Sequence, residues 1–107
     1  MAVGNAKRLA YLVKLVEAGS TEPMALYGLA MEQRVCGQNE AAVATFAKLR
    51  AAHPSYVAMY LMCAQTYEAL GDRDQARTWL AFGITEAKRT SDGHALGELE
   101  SMLSTLQ

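Results

Sequence analysis

Pro23 to Pro54 reads PMALYGLAMEQRVCGQNEAAVATFAKLRAAHP, two amphipathic stretches separated by Gly37-Gln38-Asn39. In the first, Leu26, Leu29, Ala30 and Gln33 recur at three- and four-residue steps and share one helical face. In the second, Ala42, Val43, Phe46 and Leu49 do the same. Pro54 closes the stretch, because proline cannot continue a helical hydrogen-bond ladder. The whole pattern returns one period later. Leu26 becomes Tyr60, Leu29 becomes Cys63, Ala30 becomes Ala64, Gly37 becomes Gly71, Ala42 becomes Ala76 and Phe46 becomes Leu80. The stripe positions stay apolar, the alanines stay small and the turn stays glycine, so the spacing predicts two copies of one helix–turn–helix unit.

The flanks extend the same architecture. Upstream, Ala6, Leu9, Leu12, Val13 and Val16 predict a helix over about 5–18, ended by Gly19 in the left-handed conformation. Ser20 and Thr21 are candidate N-caps for the next helix, with Pro23 in its first turn. Ser55 is the corresponding cap of the second unit, whose inward stripe is Tyr60, Cys63, Ala64 and Tyr67. Asp72 followed by Gln75 resembles a capping box. The helix after it presents Ala76, Leu80, Gly83, Ile84 and Ala87 inward and runs to about Arg89, since Lys88 stands where the first unit had proline. Trp79 falls off that stripe, which leaves it either packed on the last helix or exposed as an anchor. After the break at Ser91-Asp92-Gly93, Ala95, Leu96, Leu99, Met102, Leu103 and Leu106 form the apolar side of a terminal helix. Such a helix covers the open face of the last pair. The expected organisation is a single domain over 1–107: an N-terminal helix at 5–18, units at 23–56 and 57–90, and a capping helix at 93–106.

Composition bounds the function. The chain is 51% hydrophobic, much of it alanine, and has only two prolines, both at expected helix boundaries. That suits an all-α fold with closely approaching helices. A net charge of −1 offers no electrostatic footprint for nucleic acid or anionic lipid. No stretch approaches the roughly 20 apolar residues that span a bilayer. Lys14 and Glu17 interrupt the apolar start, which argues against a cleaved signal. Cys36 and Cys63 form neither a disulfide framework nor a zinc site and fit a reducing, cytoplasmic setting. His53 and His94 are isolated, the glycines are single, and the carboxylates are scattered. No nucleophile–base pair, metal set or phosphate loop emerges, so the expectation is a protein without enzymatic activity, metal or cofactor.

A helix–turn–helix period of 34 residues resembles the tetratricopeptide repeat, W-x2-L-G-x2-Y followed by A-x3-F and P. Leu26, Leu29, Ala30, Gln33, Ala42, Phe46 and Pro54 supply the first copy. Tyr60, Cys63, Ala64, Tyr67, Ala76 and Leu80 supply the second. Alanine replaces glycine at 30 and 64, Gln33 replaces an aromatic residue, and Lys88 replaces proline. The resemblance implies a right-handed superhelical stack of antiparallel helix pairs, about six helices with a cap at each end. It also implies a scaffold or adaptor that binds a peptide or helix of another protein on its concave face. On the first helix of each unit the residues beside the core stripe are Met24, Tyr27, Met31 and Arg34, then Leu61, Met62, Gln65 and Glu68. Their thioethers, rings and few polar groups suit varied apolar partners. Arg34 is the sole cation among them, which does not suit capture of a C-terminal carboxylate. An alternative is self-association into a homodimer through the amphipathic first helix or the surface near Trp79.

Overall fold

The computed structural model describes residues 5–106; the outermost ends of the expected 1–107 domain lie outside them. The fold is all-α. Among the described residues the helices are α1 (Ala6–Glu17), α2 (Pro23–Val35), α3 (Asn39–Ala52), α4 (Ala58–Ala69), α5 (Arg73–Arg89) and α6 (Gly93–Thr105). The chain divides into two compact units, Met1–His53 and Pro54–Gln107. In the first, α2 packs on α3 and α1 on α2. In the second, α4 packs on α5, and α6 packs mainly on α5 with a lighter contact to α4.

Four of the helices end by one device. Gly19, Gly37, Gly71 and Ser91 all have positive φ and follow the C-caps of α1, α2, α4 and α5. Each donates its N–H back to a carbonyl of the last turn, and the next residue reaches one carbonyl further. Gly37 N bonds Arg34 O at 3.1 Å and Gln38 N bonds Gln33 O at 2.7 Å; Ser91 N bonds Lys88 O at 3.2 Å and Asp92 N bonds Ala87 O at 2.8 Å. This paired closure satisfies carbonyls that the helix leaves open and reverses the chain within two residues. α3 ends differently, at His53 and Pro54.

Helix starts follow the sequence only in part. Asn5, Asp72 and Asp92 cap α1, α5 and α6, accepting from the N–H groups of Arg8, Gln75 and Ala95. Ser20, Thr21 and Ser55 do not cap. The N-cap of α2 is Glu22 and that of α4 is Val57, both without a side-chain bond. At α2 the proline at N1 removes one of the N–H groups that a cap would satisfy. Ser20 Oγ instead accepts from Glu22 N at 3.4 Å.

The core stripes are recognisable, with additions. Leu26, Leu29, Ala30 and Gln33 are buried, as are Ala42, Phe46 and Leu49, Tyr60, Cys63 and Ala64, and Ala76, Leu80 and Ala87. Val43, Tyr67 and Ile84 are only half-buried, whereas Thr45, Met59, Thr66 and Trp79 are buried. Trp79 is therefore no exposed anchor: its ring centroid lies 5.8 Å from that of Tyr60 and 6.1 Å from that of Phe82. Thr45 donates to Gln33 Oε1 at 2.7 Å, a buried polar link across α2 and α3. Tyr60 replaces the first unit's Leu26 and brings a hydroxyl, which donates to the Pro54 carbonyl. His53 Nε2 lies 2.7 Å from the Thr21 carbonyl. A carbonyl only accepts, so Nε2 carries the proton there.

Candidate partner-binding site

Of the eight expected binding residues, four belong to each unit. Along α2, Met24 is 81% exposed, and Tyr27, Met31 and Arg34 are half-buried. They fall at steps of three and four, so they share one side of the helix. Tyr27 also packs edge-on against Phe46, ring centroids 6.3 Å apart, and so serves the core as well as the surface. Along α4, Leu61, Met62 and Gln65 are half-buried and Glu68 is exposed. Leu61, Gln65 and Glu68 follow one another on a single side, and Met62 lies off that line.

Two of these residues enter a defined concavity. Leu61 and Gln65 line a groove of about 590 Å³ in the second unit, together with Gly93, His94, Gly97, Glu98, Ser101, Met102 and Thr105 of α6. The groove exists because of the order of packing. α5 holds both neighbours, and α6 touches α4 only lightly, so the two helices diverge above a shared support. Gly83 makes that support close. A Cβ on Gly83 would lie 2.6 Å from Tyr60 Cβ on α4 and 3.0 Å from Leu99 Cδ2 on α6. Gly93, Gly97 and Ser101, four residues apart, turn a nearly bare strip of α6 towards the groove, and a Cβ on Gly97 would meet nothing within 4 Å.

The α6 wall was not among the sequence-derived site residues. Reading that helix for its apolar side found the packed residues Leu99 and Leu106. The small residues at 93, 97 and 101 were the available signal for a second, uncovered side.

The groove mixes apolar and hydrogen-bonding groups. Leu61 and Met102 are apolar, Gln65, Ser101 and Thr105 offer hydrogen-bonding groups, and His94 Nε2 lies 3.2 Å from Glu98 Oε1. Ser101 and His94 are seven residues apart on one helix, roughly 10 Å along its axis. That exceeds the reach of a nucleophile–base hydrogen bond. On the core side of α4, burial pushes the Cys63 thiol strongly upward, which keeps it a neutral packing group. Tyr67 is raised first by burial, then by Cys63 and Asp72. Among the described residues no three His, Cys, Asp or Glu side chains converge in a way that would hold a metal ion, and no helix is long and apolar enough to cross a membrane.

A family model described as "Tetratricopeptide repeat" matches residues 37–97, more than half of the chain. Among solved structures, the chain is similar to the tetratricopeptide repeat domain protein of Salinibacter ruber. The TM-score is 0.73 and the identity 29%, over 79% of this chain and 94% of that one. Among the curated proteins nothing matches.

Proposed function

Because the chain belongs to the tetratricopeptide repeat family, whose domains are generally protein-interaction modules, we propose that it is a non-catalytic cytoplasmic adaptor that holds a peptide or helix of a partner protein. The observation that carries this reading is the α4/α6 groove, an open concavity with apolar and hydrogen-bonding walls and a glycine strip. Small residues on a helix let a partner backbone come close, and mixed walls supply both contact area and orientation. Leu61 and Gln65 are its proposed contacts, with Glu68 at one end. The α2 strip of Met24, Tyr27, Met31 and Arg34 is a further proposed contact surface in its own unit, where Met24 is the residue most open to a partner.

The test is capture with the purified chain as bait, followed by mass spectrometry and comparison with Gly97→Leu. The new side chain starts in open space and extends into the groove, so the fold is expected to survive, as circular dichroism will check. Loss of the captured partner in that folded variant supports the groove. Unchanged capture by Gly97→Leu and by Leu61→Ala refutes it.

Self-association is a second reading, favoured by one observation. In α1 only Leu12 is buried, and Leu9, Val13, Leu15 and Val16 remain half-buried with Tyr11 exposed. Beside it, Val16, Leu26, Ala51 and Ala52 line an apolar hollow of about 430 Å³. Light scattering over a dilution series decides: a strict monomer at high concentration removes this reading.

A further inference from the structure

We propose that the occupant of the α4/α6 groove is a basic segment of a partner protein, with Lys or Arg side chains flanking an apolar residue. This rests on the reading of the groove as a binding surface and adds the chemistry of what binds. The charges of the chain are unevenly divided. Residues 1–53 hold six Lys or Arg and four carboxylates, whereas residues 54–107 hold four and seven. Within the second unit the separation is sharper, because all four cations lie on α5. Three are engaged there. Arg73 and Arg77 both donate to the Leu106 carbonyl at 3.0 Å, and Arg89 pairs with Glu86 at 2.9 Å.

The two helices that form the groove, α4 and α6, contain no Lys or Arg at all. They carry Glu68, Glu98 and Glu100. Glu68 continues the Leu61–Gln65 line, is exposed and forms no ion pair among the described residues. Glu98 lines the groove and meets only His94, which balances it when protonated. Leu61 and Met102 supply the apolar contact within the groove, while Glu68 stands two turns beyond Leu61 on the same side of α4, outside the groove lining. An anionic partner would meet like charge with no Lys or Arg on either helix; a cationic one meets Glu98 in the groove and Glu68 further along α4. Such rim charges select the partner and speed its arrival, and their effect weakens as salt rises.

Two synthetic peptides of one length test this, with leucines at the same positions and either lysines or glutamates at the others. Fluorescence anisotropy against the full chain is expected to show roughly tenfold or greater preference for the lysine peptide, falling as salt rises. Glu68→Lys with Glu98→Lys is expected to reverse the preference, with the helical signal intact. Equal or tighter binding of the glutamate peptide overturns the inference; if that binding disappears in Gly97→Leu, the groove reading stands and only the basic partner falls. If neither peptide binds, or binding persists in Gly97→Leu, the groove reading falls as well. If instead the chain associates with itself and the double charge reversal dissolves the assembly, the occupant is a second copy, and the partner-segment proposal is overturned.

Discussion

Gly83→Ala adds one carbon at the tightest point of the second unit. The new Cβ would lie 2.6 Å from Tyr60 Cβ, and 3.0 and 3.1 Å from the two Leu99 methyls. The Leu99 methyls are the free ends of a branched side chain and can yield. Tyr60 Cβ cannot, because it is bonded to the backbone of α4. Its ring is held against Trp79 and its hydroxyl against the Pro54 carbonyl. Relief therefore requires α4 and α5 to separate by about 1 Å along their contact. Forcing extra carbon into a packed core costs about 1–3 kcal/mol and at times more. The rigidity of the opposing atom argues for the upper end. Alanine returns about 1 kcal/mol as a better helix former than glycine. The expected net loss is about 2 kcal/mol, or roughly 8–15 °C in melting temperature for a domain of this size. The internal control is Gly97→Ala, where the Cβ meets nothing and only the propensity gain remains. That variant should melt a few degrees above the parent in the same far-ultraviolet circular dichroism experiment. If Gly83→Ala also melts at or above the parent, the close approach of α4 and α5 is wrong.

Ser91, at φ 58°, occupies a left-handed position that the equivalent closures fill with glycine; Ser91→Gly should raise stability by about 1 kcal/mol, read as a shift in a urea midpoint. Thr45→Val leaves the buried Gln33 Oε1 without its donor and should cost about 1–3 kcal/mol, while adding Gln33→Leu should recover most of the loss, a coupling that a double-mutant cycle measures. Cys63 is buried and its thiol raised, so a thiol reagent should label Cys36 in the folded chain and reach Cys63 only on unfolding. The same shift sets a pH dependence. The folded thiol keeps its proton above its ordinary value of 9.0 while the unfolded one releases it, so the contribution of this thiol to stability should be steady below about pH 9 and fall above it. Cys63→Ala should flatten that fall.

Much of the fold was legible because the period is carried by size. Ala30, Ala42, Ala64 and Ala76 mark where helices touch, and all four are fully buried. Gly37 and Gly71 mark the turns, where the backbone adopts positive φ. Polar and aromatic exceptions were harder to read. Thr45 looks like a surface residue until it is seen to satisfy Gln33, the one polar member of the inward stripe of α2. Trp79 lies off the inward stripe, and the stripe alone leaves its packing open; the rings of Tyr60 and Phe82 against it decide that it is buried. The site divides in the same manner. Leu61 and Gln65 follow from their position beside the core of α4, whereas the α6 wall depends on how far that helix stands from α4. That separation is set by contacts of α5 with both, which no local pattern encodes.

The central claim is that a partner protein lies in the α4/α6 groove, and site-specific photo-crosslinking tests it most directly. A photoreactive amino acid replaces Gly97 on the groove wall or, in a second variant, Ala81 on an exposed part of α5. Both variants are irradiated with the captured partner. The account predicts a covalent adduct from position 97 and none from position 81. An adduct from position 81 with none from position 97, in two variants that melt like the parent, would contradict it.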